Sequence, residues 1–277
     1  MKCINKWICL SLLIAVSCVS GCGKTSAAIE QPYDVYAAAA DFGLSSNGTA
    51  EAKSYFASDL CVSEDVAIGT DSTDSQVAEG AGTFNLETNT VVYAKNLYER
   101  LYPASTTKIL TAYIALKYCD DLDAMVTVSE NAVNQASDSS VCNLKAGDVI
   151  RLRDLLYGLM LRSGNDAAVA IAEYISGDVD SFAALMNQEA AAMGATRSHF
   201  VNPNGLPDEN HYTCVYDMYL IFSNAIKNDT FVSIIGTTSY DVTYTDASGE
   251  AVTHTWENTN QYLTGNATTP DGFQIVG

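Results

Sequence analysis

From Ser105 to Tyr118 the sequence is apolar on nearly every side of the helix it would form, and Pro103 stands just ahead, where a helix start tolerates proline. A helix without a polar face must be enclosed by other elements, so this segment predicts a buried central helix. The chain can supply the enclosure. Its 277 residues are 48% hydrophobic and 17% charged, enough for one large domain and thin for two. That composition excludes a disordered chain, and no apolar run reaches the roughly 18 residues of a membrane span.

The pattern around the helix is of two kinds. Ala81–Leu86 and Thr90–Ala94 read as strands about the turn Glu87-Thr88-Asn89, and Ser239–Thr245 and Ala251–Trp256 as strands about Ala247-Ser248-Gly249. Between these pairs lie helical patterns. Arg151–Arg162 carries Leu152, Leu155, Leu156, Leu159 and Met160 at helical spacing. Asp166–Ile175 resumes after Gly164, with Asp166 in the first turn. Val179–Met193 is stopped by Gly194, Phe200–Tyr212 is a loop rich in Asn, Pro and Gly, and Val215–Lys227 is helical again. Strands at both ends around a block of helices predict an α+β domain, an antiparallel sheet packed with helices. Residues 22–75, rich in Ala, Ser, Asp and Glu, read as a partly disordered tether, with a helix in Tyr33–Phe42 or Glu51–Ser58; the domain proper spans 76–277.

Lys2 and Lys6 precede an apolar run from Trp7 to Val19, too short to span a bilayer, which reads as an export signal over residues 1–21. The run ends Val19-Ser20-Gly21-Cys22, which resembles the bacterial lipobox. That resemblance implies cleavage before Cys22, acylation of its thiol and a lipid anchor on the outer face of the cytoplasmic membrane. A plain signal peptide or an uncleaved anchor is the other reading. Removal of the leader would take the net charge from −19 to −21. An acidic chain of this kind lacks the basic footprint of a nucleic-acid binder. Of eight cysteines, three lie in the leader and Cys22 is the lipid site. Cys61, Cys119, Cys142 and Cys214 allow three pairings and read by default as buried free thiols. With three histidines and no metal-ligand spacing, neither a metal nor another cofactor is expected.

Two short motifs carry chemistry. In Ser105-Thr106-Thr107-Lys108 the first and last residues share a helix face. A serine needs a base to act as nucleophile, and lysine serves only when neutral, at a cost of about 4.6 kcal/mol at pH 7 from its reference pKa. A helix dipole offsets only ~1–2 kcal/mol of this, whereas desolvation can lower a lysine by ~3–5 pH units. Lys108 is therefore expected to be buried among polar partners. By spacing alone, an N-capping serine with a surface lysine is the commoner arrangement. In Ser163-Gly164-Asn165, between two helices, a hydroxyl could relay a proton and an amide could hold a peptide group. An ordinary interhelix turn capped by Asn165 or Asp166 is the plainer reading.

Taken together and in this order, the motifs are more specific. Arg100-Leu101-Tyr102-Pro103-Ala104-Ser105-Thr106-Thr107-Lys108, Ser163-Gly164-Asn165-Asp166-Ala167-Ala168, and Phe200-Val201-Asn202-Pro203-Asn204-Gly205-Leu206 with His211-Tyr212 resemble the D-alanyl-D-alanine carboxypeptidases, the low-molecular-mass penicillin-binding proteins. Phe182 and Met186-Asn187 fit the helix before the third segment. The resemblance covers about Ala81 to Gly277. It implies a β-lactamase/DD-peptidase-like α+β fold, with a helical subdomain beside an antiparallel sheet, and an acyl-enzyme route. Ser105 would attack the bond between the two terminal D-alanines of a peptidoglycan stem peptide. Lys108 would take its proton, Ser163 would pass a proton to the leaving D-alanine, and Asn165 would bind the substrate backbone. β-Lactams would acylate Ser105 and stay. His211 is expected to make a structural hydrogen bond, and Cys214 to pack.

The sequence departs from the family in one respect. Lys-Thr-Gly, the third motif, is absent, and Lys24-Thr25-Ser26 is a chance likeness. The run Asp271–Gly277 resembles the approach to that motif's strand, so a C-terminally truncated, weakly active or inactive chain without its last strands is expected; the rival is a complete but degenerate protein. Two other functions share this serine–lysine signature. A class A-like β-lactamase needs a glutamate on the loop after the second motif, and Ala195–Leu206 has none. A non-catalytic β-lactam-sensing or wall-binding lipoprotein would keep the acylating serine without turnover.

Overall fold

The computed structural model describes residues 57, 59–69, 78–269 and 271–277. The export signal, Cys22, the Tyr33–Phe42 helix and all of Glu51–Ser58 except Ala57 lie outside the described residues. The first strands, β1 (Ala81–Asn85) and β2 (Thr90–Lys95), pair antiparallel. Asn85 Oδ1 makes their turn by accepting the Glu87 and Thr88 N–H groups at 2.9 and 3.0 Å. A single turn of 3-10 helix at Ala104–Thr106 leads into α1 (Thr107–Tyr118).

Helix α1 is enclosed, as its sequence requires. Leu110 and Ile114 pack with Phe182, Met186, Phe200 and Ile221 on one side. On the other, Ala112 and Ala115 join a larger cluster with Leu155, Leu156, Leu159, Ile171 and Phe231. Around it follow β3 (Met125–Thr127), α2 (Glu130–Val133), β4 (Val149–Arg151), α3 (Leu152–Leu161), α4 (Asn165–Ser176), α5 (Val179–Ala192), α6 (Val215–Ala225), α7 (Asp229–Ile235), β5 (Ser239–Thr245) and β6 (Ala251–Glu257). Gly194 sits just past α5 with φ +85°, and Ala195 N–H returns to the Ala190 carbonyl at 2.9 Å, so the left-handed residue ends the helix as expected.

The strands at the two ends do not join one sheet. β1 and β2 form a two-stranded sheet, and β3, β4, β5 and β6 a separate four-stranded antiparallel sheet. The reason lies in β5 and β6, whose Val242, Tyr244 and Trp256 are buried in the same cluster as Ile150, Leu155 and Leu159. Burying those side chains sets the C-terminal hairpin against β4, where Val149 pairs with Thr245. The fold remains α+β.

Asp59–Gly277 is one compact unit. It therefore begins within the stretch read as tether. Cys61 is fully buried, its N–H donates to Tyr219 Oη at 2.8 Å, its carbonyl accepts from Tyr216 Oη at 2.9 Å, and Ile68 bridges to Ala94 of β2. Two α6 tyrosines thus fasten a segment whose composition carries no periodicity. Cys61, Cys119, Cys142 and Cys214 are free thiols, the first and last two buried and Cys119 half-buried.

Candidate active site

The chain reaches the first motif through a backbone bridge between Leu101 and Thr213 (2.8 and 2.9 Å) and a buried Pro103. Ala104 then takes a left-handed backbone, φ +48°, a strain that costs a residue with a Cβ about 1–2 kcal/mol. The facing loop shows what holds it there. Gly205, φ +88°, lies so close that a Cβ on it would stand 1.8 Å from the Ala104 carbonyl oxygen. Ser105 follows at the helix start and is exposed.

One turn on, Lys108 is only 2% exposed. Its Nζ lies 3.2 Å from Ser105 Oγ and donates to the Asn204 carbonyl at 2.7 Å. Burial lowers its pKa from the ordinary lysine range to about 8, against the opposing pull of the Asp166 carboxylate. The expected burial among polar partners is what the structure has. Desolvation outweighs the nearby carboxylate, and the cost of the neutral amine at pH 7 falls from about 5 to about 1 kcal/mol.

The loop 200–212 is clamped at several points. Asn187 accepts the Phe200 N–H and donates to its carbonyl, both at 2.8 Å. Thr111 Oγ1 donates to the Pro203 carbonyl at 2.7 Å. Asn202 Oδ1 accepts the Gly205 N–H at 2.7 Å, and Arg100 lies over the Tyr212 ring while donating to the Glu209 carbonyl. His211 is buried. Its Nδ1 accepts the Val201 N–H at 3.1 Å, which assigns the ring proton to Nε2 for donation to Thr107 Oγ1 at 2.9 Å. Burial holds the ring neutral, its pKa lowered to about 4. His211 thus makes the structural hydrogen bond expected of it. Cys214 packs at the start of α6, its Sγ 3.5 Å from the Asp217 N–H. Burial raises the thiol to about 11, which keeps it protonated and unreactive.

Ser163 ends the α3–α4 connection in a second left-handed conformation, φ +55°. The next residue must be glycine, because a Cβ on Gly164 would stand 2.3 Å from Cys142 Sγ. Asn165 opens α4, 5% exposed, its N–H on the Ser140 carbonyl at 2.8 Å. Among the described residues, neither the Ser163 hydroxyl nor the Asn165 amide has a hydrogen-bond partner. The structure joins Ser105 and Lys108 directly. The Ser163 turn packs on Cys142 through Gly164; burial raises that thiol's pKa and keeps it neutral, so the Asp166 carboxylate is the charge that acts on Lys108 from this side. Three residues gain parts that their sequence context does not suggest: Asn204 through its carbonyl, Asp166 through a loop more than 20 residues upstream, and Cys142 through its contact with Gly164. The Asn-Pro-Asn-Gly run is the one available signal, since it promises a tight turn able to aim a carbonyl. Among the described residues no cluster of side chains could hold a metal ion.

The family model described as D-alanyl-D-alanine carboxypeptidase, Peptidase_S11, matches residues 69–274. The chain is similar to D-alanyl-D-alanine carboxypeptidase DacF of Bacillus subtilis, 35% identical over 164 residues, covering 58% of this chain and 42% of that protein. It is also similar to the D-alanyl-D-alanine carboxypeptidase of Streptomyces sp. strain K15, 37% identical over 196 residues and 67% of each. The chain thus spans less than half of the first relative and two thirds of the second. The crystal structure of the Streptomyces K15 DD-transpeptidase superposes with a TM-score of 0.63 at 35% identity, over 67% of this chain and 74% of that one. The motifs, the fold and the match over 69–274 agree: the chain belongs to the D-alanyl-D-alanine carboxypeptidase family.

Proposed function

We propose that this protein is an exported serine-type D-Ala-D-Ala carboxypeptidase that removes the terminal D-alanine from peptidoglycan stem peptides. The observation that carries the reading is an exposed serine hydroxyl 3.2 Å from a buried lysine whose pKa is lowered to about 8. In this reading the neutral Lys108 takes the Ser105 proton as Oγ attacks the D-Ala-D-Ala carbonyl. The Ser105 N–H contributes one oxyanion donor, and such a donor is typically worth about 3–4 kcal/mol. Ser163 passes a proton to the departing amine, and Asn165 binds the substrate backbone through its side-chain amide. Water then releases the shortened peptide, and a β-lactam takes the same route to a stable acyl-enzyme. Cys22 carries a lipid that holds the protein at the outer face of the membrane.

The absence of a glutamate from Ala195–Leu206 favours slow β-lactam release over lactamase turnover. A sensor would label without turning over peptide. The test is D-alanine release by the full-length protein from a peptide ending in D-Ala-D-Ala, alongside labelling by fluorescent penicillin. Release and labelling, both lost in Ser105→Ala, support the reading. Labelling without release favours the sensor, and fast penicillin hydrolysis the lactamase.

A further inference from the structure

The carboxylate of Asp166 is 2% exposed and has four N–H contacts from three residues. Oδ1 accepts from Cys142 at 2.9 Å and from Ala167 at 2.9 Å, and Oδ2 accepts from Cys142 at 3.0 Å and Leu144 at 3.1 Å. Two of these donors belong to the loop 140–144, whose Ser140 carbonyl also holds the Asn165 N–H at 2.8 Å. The same loop sets Cys142 Sγ against Gly164. One side chain therefore fastens the backbone that flanks the Ser163-Gly164-Asn165 turn, and that turn keeps Ser163 in a left-handed conformation it would not hold alone.

The geometry points to Asp166 as a positioning residue: by binding the loop 140–144 to the head of α4, it fixes where the Ser163 hydroxyl and the Asn165 amide stand relative to Lys108. It touches no substrate in this role, and the inference rests on the acyl-enzyme reading above. The helix itself accounts for only one of the four contacts, the N–H of Ala167. The three remaining contacts all reach out to the loop.

The carboxylate also has an electrostatic consequence. Lys108 faces it from α1, Cys142 from the loop and Tyr244 from β5, while Arg162 at the end of α3 acts on Cys142, and Asp148 acts on Tyr244. Of these, Lys108 is the group the chemistry uses. A negative Asp166 favours the protonated amine, so its neutralisation lowers the lysine's pKa further.

The experiment uses the full-length protein and measures the second-order rate of acylation by fluorescent penicillin from pH 5.5 to 9.5, with folding checked by thermal denaturation. Asp166→Asn keeps the shape but loses the charge and one acceptor. It is expected to fold, to acylate about 10–100-fold more slowly on the plateau, and to show its acid limb at lower pH than the wild type. Asp166→Glu keeps the charge but displaces the acceptors, so its plateau falls while its limb stays. Folded variants that acylate at the wild-type rate overturn the positioning role. So does a loss that follows only the unfolded fraction with both limbs unmoved, as does recovery of both variants unfolded, since the carboxylate would then serve the fold alone. A wild-type protein that fails to acylate overturns the acyl-enzyme reading itself, a result distinct from unchanged variants.

Discussion

Titration of Lys108 is the most exposed consequence of the site. In the proposed mechanism the lysine acts as base only in its neutral form, and burial lowers its pKa to about 8. The neutral fraction is then about 1% at pH 6, about 9% at pH 7 and half at pH 8, against a few parts in ten thousand at pH 7 for a lysine at its reference value. The acylation rate should rise about tenfold from pH 6 to 7, about fivefold from 7 to 8, and flatten above pH 9. In that mechanism a lower pH protonates Lys108 and removes the acceptor for the Ser105 proton, so activity is lost on the acid side. The assay is the rate of covalent labelling of Ser105 by fluorescent penicillin in buffers of constant ionic strength. Lys108→Arg provides the control, because guanidinium keeps the charge and cannot give up its proton, and should cost about 10²–10⁴-fold. A flat profile between pH 6 and 9, a midpoint near 10, or an Lys108→Arg variant with wild-type rate would refute the assignment of Lys108 as base.

Other outcomes follow from single contacts. Gly205→Ala introduces a Cβ 1.8 Å from the Ala104 carbonyl at φ +88°, so it should lose at least about 1–2 kcal/mol in urea unfolding and slow acylation; a wild-type midpoint would show that the loop can yield. His211 is buried neutral with a pKa near 4, below its unfolded value, so the folded state binds fewer protons between pH 6.5 and 4. Its contribution, about 3 kcal/mol at most, is present above pH 6.5 and is lost as the pH falls toward 4. The stability difference between wild type and His211→Asn should shrink over that window, and a constant difference would contradict it. Cys22→Ser should abolish incorporation of labelled fatty acid and release the protein from the membrane fraction, whereas unchanged incorporation would place the lipid elsewhere.

What was legible in the sequence was whatever the physics keeps local. The enclosed helix announces itself because Leu110, Ile114 and Ala115 leave it no polar face. The Ser105–Lys108 pairing is legible because one helical turn sets the two side chains together. β3 and β4 are three residues each, too short for an alternation to register, and α7 is a seven-residue helix marked by little more than the Asn228 cap on Thr230 and Phe231. The separation into two sheets depends on where Trp256 and Val242 find a core, which strand patterns do not encode. Within the site, Asn204 and Asp166 act through a carbonyl and through a distant loop, and both contacts exist only after the chain has closed on itself.

Whether Ser105 forms the acyl bond is decided by mapping the adduct. The full-length protein is incubated with penicillin, digested, and its peptides weighed by mass spectrometry. The penicilloyl mass is expected on the peptide that contains Ser105, and no adduct in Ser105→Ala. An adduct on any other residue, or one that persists in Ser105→Ala, would contradict it.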